Sequence, residues 1–473
     1  MIKNLKLEDI ENNEIIKKNQ KTTRENKDLF GEVFTPFNLI HKILNLIPEK
    51  VFENPFNKWL DVGAGSGNFS IILYLKLLDS LSEKIPDIEE RKKHIIKNMI
   101  YMIELRPENI EILKTNFGEH ANIYEGDFLS YKYNSETNNI MPQIFDVIIG
   151  NPPFNCNGQK KVPTNNIDNK KQDGSTIWGT FVIKSMGLLK NKTGILCILI
   201  PSIWLKPDKE RMYNFLTQYN IKWLNCMTNT ETNKIFKGNA QTPSCYFLLT
   251  KRETDNIISI FDKDRDEYID YNLKLNAPIP VFGQSIVNKL QKYCINSTNN
   301  ISNTINVIKT NMPPKNTILS KIKTKECPYP NIKTCILQKD KTPELVINYS
   351  NKPLVFSQQT KLVLAHKMYG YPYLDISGEY GISNRDNYVI IREKIEDLIK
   401  IQTFLSTKTA IYLFKSTRYR MMYLEKYAFE LIPDITNLLD FPEVINDDTI
   451  ADYFGFDEKD RENIEKINKS RKY

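Results

Sequence analysis

The sequence predicts an α/β protein built on a largely parallel sheet, followed by a second, α+β region. Three observations carry that expectation. From residue 58 to about 252, apolar runs of strand length alternate with longer helical stretches, the rhythm of a parallel sheet flanked by helices. Most of those short runs are near-continuously apolar, as strands covered on both faces must be. Past residue 304 the rhythm becomes less regular and the aromatic content rises, which marks a change of architecture.

In chain order, strands are expected at 58–62, 99–104, 121–124, 145–149, 195–200, 221–227 and 244–249, and helices at 71–81, 107–117, 176–189 and 209–218. Residues 84–97 read as an inserted, mostly polar helix. Residues 155–175 form a polar loop with Lys160, Lys161, Lys170 and Lys171, long enough to be either functional or merely solvated. The domain boundaries follow: an N-terminal arm or helix at 1–28, a first domain at 29–274, a linker and connecting helix at 275–304, a second region at 305–440 and a helical tail at 441–473. The linker ends in NSTNNISNT, a cluster of turn-forming residues with only Ile301 to bury.

A chain of 473 residues has room for two or three domains, and 41% hydrophobic with 26% charged residues describes an ordinary globular protein. No run approaches the ~18 apolar residues of a membrane helix, and the N-terminus mixes both charges without an apolar segment. An intracellular, cytoplasmic protein is therefore expected. Seven cysteines without a Cys-x-x-Cys pair argue against a disulfide framework or a zinc site. Lys+Arg of 65 against Asp+Glu of 57 leaves +8, which suits a polyanionic partner without requiring one.

The residues that can carry chemistry follow the strands. Asp61-Val62-Gly63-Ala64-Gly65-Ser66-Gly67-Asn68-Phe69 leaves the first strand and opens a helix, and its glycines let the backbone turn tightly and approach a ligand. A dinucleotide site or an ordinary strand-to-helix turn would use the same residues. Glu104 ends the second strand, where a carboxylate can accept from both ribose hydroxyls, and Asp127 with Phe128 follows the third, suited to an adenine amino group and ring. After the fourth comes Asn151-Pro152-Pro153-Phe154. Two prolines fix φ and remove donors, so the Asn151 amide oxygen and the Pro152 carbonyl offer two acceptors to one exocyclic amine. That amine would be held for attack with its lone pair drawn out of ring conjugation, while Phe154 stacks on the base.

This order of Gly-rich loop, Glu, Asp-Phe and Asn-Pro-Pro-Phe resembles the gamma class of S-adenosylmethionine-dependent N6-adenine DNA methyltransferases. In that class a segment like Gly31-Glu32-Val33-Phe34-Thr35-Pro36 precedes the Gly-rich loop, as it does here. The resemblance covers about 27–252 and implies a doubly wound, seven-stranded methyltransferase sheet. It further implies that Thr35, Asp61, Gly63, Gly65 and Gly67 enclose the methionine part of the cofactor, that Glu104 binds ribose and that Asp127 and Phe128 bind adenine. Asn151, Pro152, Pro153 and Phe154 become the catalytic set. In IFKGNAQTPS, Phe236 would be a second aromatic wall against the extruded base, although a core Phe before a strand fits that spacing equally well. The implied reaction is direct methyl transfer without metal, to an adenine flipped out of duplex DNA.

Two alternative targets, cytosine N4 and an adenine in RNA, would use the same two acceptors; a non-catalytic DNA-binding subunit is a third alternative. Duplex DNA is the implied partner, and a separately encoded restriction endonuclease is compatible with it. By the same resemblance, 305–440 is the natural target-recognition region. There Lys408, Tyr412, Lys415, Tyr419, Met422 and Lys426 share a helical face, cations with interleaved aromatics that suit DNA or else a solvated helix rim. Arg385, in the loop GISNRDNY with Asn384 and Asn387, has donors for phosphates or base edges.

Overall fold

In a computed structural model, the described residues are 33–133, 141–155, 176–207, 212–274, 276–295, 301–337, 343–366, 372–419 and 424–467. They fall into two compact units, Met1–Trp204 with Asp208–Ser259, and Leu205–Pro207 with Ile260–Tyr473.

The first unit runs α1 (Phe37–Leu44), α2 (Glu49–Phe52), β1 (Trp59–Val62), α3 (Asn68–Ser80), α4 (Ile88–His94), β2 (Ile100–Glu104), α5 (Pro107–Phe117), β3 (Asn122–Glu125) and β4 (Val147–Gly150). It continues with α6 (Trp178–Leu188), β5 (Ile195–Pro201), α7 (Met212–Thr217), β6 (Tyr219–Met227), α8 (Asn229–Ile235) and β7 (Ser244–Glu253). The seven strands expected from the sequence are all present, in the order β3-β2-β1-β4-β5-β7-β6, within a nine-stranded sheet that two further strands, Ile257–Asp262 and Glu267–Asn272, extend past β6. β1 pairs in parallel with both β2 and β4, and among these seven β7 alone runs antiparallel, against β5 and β6. The chain thus leaves β1 toward β3 and returns to β1's other edge with β4. Such a reversal opens a crevice at the carboxyl ends of the strands, where open α/β sheets bind ligands.

Burial explains these strands. β1, β2, β4 and β5 are buried at every position, so their near-continuous apolar sequences are required rather than incidental. α3 is apolar almost all round, with Phe69, Ile71, Ile72, Leu73, Tyr74, Leu75 and Leu77 all buried in the first unit's core. A helix with that pattern must be packed on more than one side. The inserted polar helix is present as α4, capped by Asp87, whose carboxylate accepts from Glu90 N at 2.7 Å.

In β8 (Ile257–Asp262) the chain passes from the first unit to the second. The second unit holds β9 (Glu267–Asn272), α9 (Gln284–Gln291), β10 (Ile308–Lys309), β11 (Leu319–Ser320), β12 (Tyr329–Leu337), β13 (Pro343–Ser350), β14 (Lys361–Ala365) and β15 (Tyr373–Asp375). β16 (Gly381–Ile382), β17 (Asn387–Ile390), α10 (Ile395–Leu405), α11 (Lys408–Ser416), α12 (Asp447–Phe454) and α13 (Glu458–Glu465) complete it. Two four-stranded sheets, β10-β17-β14-β15 and β11-β13-β12-β16, give the expected α+β character. Their shared core includes Ile332, Val363, Ala365, Ile382 and Val389.

Two boundaries differ from expectation. The units divide at 259/260 rather than at 274, because the turn after β8 belongs to the second unit: the Asp262 carboxylate accepts from Gly283 N at 3.2 Å, and Asp264 from the Tyr412 hydroxyl at 2.6 Å. The tail from 441 is likewise part of this unit, since Arg265 bonds Asp457 at 2.9 Å and Asp460 at 3.1 Å, with Lys289 paired to the same two carboxylates. The six described cysteines are free thiols, and no described helix is long and apolar enough to cross a membrane.

Candidate active site

The candidate site lies wholly in the first unit, at the carboxyl ends of β1 to β4. Two glycines permit it. Gly67, at φ 91°, starts α3 in a left-handed conformation, and a Cβ there would lie 2.8 Å from Leu113 Cδ2. Gly150, at φ 142°, ends β4, and a Cβ would lie 2.9 Å from Val62 O and 3.3 Å from Asp61 Oδ1. Only glycine lets β4 approach the β1 loop this closely. Gly150 was absent from the predicted site, although a glycine between a buried strand and Asn-Pro-Pro was a visible signal.

The carboxylates tie the strand ends together. Asp61 is 1% exposed and accepts from Ser70 Oγ at 2.7 Å. Burial pushes its carboxyl up to about 7, the Ser70 bond opposing and the nearby Glu104 charge adding to the rise. Glu104, also buried, accepts from Gly65 N at 2.7 Å, Arg106 N at 2.9 Å and Asn109 Nδ2 at 3.3 Å. It therefore clamps the Gly-rich loop to the end of β2. Asp127 accepts from Leu129 N at 2.9 Å and Ser130 Oγ at 3.0 Å, which fixes the turn after β3. Phe128 is buried with its ring 5.1 Å from that of Phe181.

Sequence reasoning missed Lys184 on α6. Its ammonium donates to Leu129 O at 2.8 Å and Tyr131 O at 2.5 Å and lies 5.4 Å from the Phe128 ring. Burial lowers its pKa against the opposing pull of Asp127. A cation thus holds the turn that carries Asp127 and Phe128.

Asn151 is fixed by one half of its amide. Its Nδ2 donates to Thr35 Oγ1 at 3.1 Å, while its Oδ1 is buried without a hydrogen-bond partner. Thr35 is itself held, its carbonyl accepting from Asn68 Nδ2 at 2.9 Å, and Ser66 Oγ donates to Asn68 Oδ1 at 3.2 Å. Thr35 was expected to touch the cofactor; its hydroxyl here orients Asn151. Among the described residues nothing donates to the Pro152 carbonyl, so next to the unpaired Asn151 Oδ1 lies a second acceptor with no donor among the described residues. Buried acceptors are rarely left so without a functional reason. The Phe154 carbonyl accepts from Ile177 N at 3.1 Å, which anchors the end of this turn.

Four expectations need correction. Phe236 follows α8 and is 4% exposed within the first unit's core, not a free wall of an open slot. α8 is polar apart from Ile235, so the apolar residue beyond it is drawn inward. In the second unit α11 ends at Ser416, so Tyr419 and Lys426 are not on one helical face with Lys408. Tyr412 and Tyr419 are buried, the latter hydroxyl donating to Ile279 O at 2.6 Å; an aromatic ring with a satisfied hydroxyl is a core residue. Lys408 pairs with Glu465 at 2.5 Å, and burial lowers Lys415 to about 8, the neighbouring Arg418 charge contributing. Arg385 does remain on the surface, its side chain 68% exposed. Gly31, Glu32, Met422 and the lysines of the 155–175 loop lie outside the described residues.

A glycine-rich turn, two buried carboxylates and an Asn-Pro-Pro-Phe turn thus meet at one sheet crevice. Residues 2–236 match the model of the Eco57I restriction-modification methylases. Over those residues, just under half of its length, the chain is similar to that family. The chain also shares 40% identity over 77 residues with an uncharacterized adenine-specific methylase of Mycoplasma pneumoniae, covering 16% of this chain and 18% of that protein. Among solved structures, a type I restriction-modification methyltransferase subunit from Streptococcus thermophilus matches 54% of this chain and 53% of its own at 16% identity and TM-score 0.33. The type IIL restriction-modification enzyme MmeI in complex with DNA matches 85% of this chain and 69% of its own at 12% identity and TM-score 0.47. The chain thus spans under a fifth of the length of the curated relative and about half that of the Streptococcus subunit.

Proposed function

We propose that this methylase moves a methyl group from S-adenosylmethionine to the N6 amino group of an adenine flipped out of duplex DNA. The observation that carries this reading is the buried, unpaired Asn151 Oδ1 beside the Pro152 carbonyl, to which nothing donates among the described residues. Two fixed acceptors fit the two N–H bonds of an exocyclic amine. They would turn its lone pair out of the ring plane, and the Thr35 bond prevents the Asn151 amide from rotating its donor into that position. Phe154 would stack on the extruded base, offsetting part of the few kcal/mol of unstacking.

The residues present also fit the cofactor. Asp61 and Glu104 place two buried carboxylates where a ligand bearing positive charge and ribose hydroxyls would find acceptors. A Cβ on Gly65 would lie 3.6 Å from Phe34 Cε1 and one on Gly63 3.8 Å from Pro153 Cδ, so side chains there would occupy the room between the three segments. Asp127 and Phe128 would receive the adenine. When bound, the cofactor supplies an electrophilic sulfonium methyl. The chain's own part is to align the amine with it, and positioning of this kind accounts for much of a transfer rate.

The test is incubation of the purified protein with methyl-labelled S-adenosylmethionine and unmethylated duplex DNA, followed by nucleoside mass spectrometry and site mapping. N6-methyladenine at discrete positions is expected. N4-methylcytosine would replace the target base, and transfer to RNA alone would overturn the DNA assignment.

A further inference from the structure

With α11 committed to the second unit's own core, that unit's basic character lies elsewhere. Residues 301–337 contain Lys309, Lys315, Lys321, Lys323, Lys325 and Lys333 against a single acid, Glu326, a surplus of five positive charges in a chain whose total is +8. All six ammonium side chains are exposed, and none pairs with a carboxylate among the described residues. The contrast inside the same unit is sharp, since Lys206, Lys289, Lys361 and Lys408 each pair with a carboxylate. Regular structure in 311–326 is limited to the two residues of β11, and Met312, Ile318 and Ile322 are exposed by 57%, 57% and 70% among these lysines.

A strip of uncompensated like charges repels itself and is relieved by a polyanion, which gains further from the counterions it releases. The strip is not an amphipathic helix, the form in which a basic segment lies in a bilayer surface. Its lysines at 321, 323 and 325 are instead spaced along irregular chain with apolar tips between them, a surface that can contact phosphates and sugars together. We propose that this lysine strip grips the phosphate backbone of the substrate duplex. The proposal rests on the methyltransferase reading above and adds to it the surface that holds the DNA.

The experiment measures binding of a labelled duplex to the full chain by fluorescence anisotropy across salt concentrations. It compares wild type with Lys315→Gln/Lys321→Gln/Lys323→Gln/Lys325→Gln, with the same four changed to Arg, and with Lys408→Gln. Each phosphate contact contributes ~0.9 to the slope of log affinity against log salt. The Gln variant should therefore lose about 3 to 4 from that slope while retaining cofactor binding and its unfolding midpoint; the Arg variant and Lys408→Gln should keep the wild-type slope. An unchanged slope in the Gln variant, with methyl transfer to DNA intact in wild type, overturns the strip alone. Wild type that binds neither duplex nor S-adenosylmethionine overturns the underlying reading. Preference for anionic lipid vesicles over duplex overturns the choice of partner.

Discussion

The polar side chains that the sequence singles out fare differently in the two units. In the first, Asp61 and Glu104 are buried at strand ends and accept bonds from Ser70 and Gly65, and half-buried Asn151 donates to Thr35 yet keeps its buried Oδ1 unpaired. In the second, the two tyrosines chosen by helical spacing are satisfied, Tyr412 on Asp264 and Tyr419 on Ile279, whereas Gln284, Asn331, Asn348 and Asn387 keep side-chain oxygens that are buried and unpaired. What separates Asn151 from these tyrosines is an acceptor left over after its bonds are counted, at the crevice where the strand ends meet. Residue type and periodicity do not record that remainder.

The largest effect should come from the leftover acceptor. Asn151→Ala should reduce single-turnover methyl transfer by about 10²–10³-fold, the usual cost of removing one preorganised hydrogen-bonding group, while cofactor affinity measured by calorimetry changes little. Near-normal turnover in a variant that binds cofactor would remove the distinction between the units.

Next in size is Gly67→Ala. A left-handed φ of 91° and a Cβ 2.8 Å from Leu113 Cδ2 should together cost about 2–3 kcal/mol in denaturant unfolding. Gly187 sits within α6 with nothing within 4 Å of an added Cβ, and Gly187→Ala should be neutral or stabilising by up to about 1 kcal/mol.

Asp61 adds a pH dependence to the same loop. Its folded carboxyl, at about 7, lies above the ordinary value of 3.8, so the native state holds an extra proton between those limits. Its contribution to stability is present below the lower limit and lost as pH rises through about 7. A positively charged ligand favours the ionised form and binds with the opposite sign: its dissociation constant should rise roughly tenfold from pH 8 to pH 6. Calorimetry with S-adenosylmethionine checks this, and a flat profile would mean that the cofactor's charge does not meet Asp61.

These residues show why one unit was more legible than the other. The first unit's strands are long buried runs, and its site sits where glycine and proline force the backbone, so both leave local marks in the sequence. α5 begins with Pro107 and ends before Gly118, and its predicted and observed limits coincide. The bond from Asn151 to Thr35 spans 116 positions and leaves no such mark; nor does the grip of Lys184 on the turn after β3. The second unit's β10, β11 and β16 are two residues each, too short to show a period. Its tyrosines misled because a ring and a hydroxyl serve a core and a DNA groove equally well. The lysines of 309–333 were overlooked for the converse reason: they lie on irregular chain where no helical spacing calls attention to them.

The smallest predicted effect tests that last point. Tyr412 is 2% exposed, packs at 5.3 Å against Phe282 and donates to Asp264 at 2.6 Å. Tyr412→Phe keeps the ring and removes only the hydroxyl, so the loss should be that of one hydrogen bond to a carboxylate that water can partly re-solvate, about 1 kcal/mol by denaturant unfolding. Lys408→Gln, which breaks a partly exposed pair with Glu465, should cost less than about 0.5 kcal/mol. Neither should alter duplex affinity or its salt slope. A selective loss of DNA binding in Tyr412→Phe at unchanged stability would return α11 to the DNA surface, and would mean that a buried, satisfied tyrosine in this unit reaches its partner only after the helix moves.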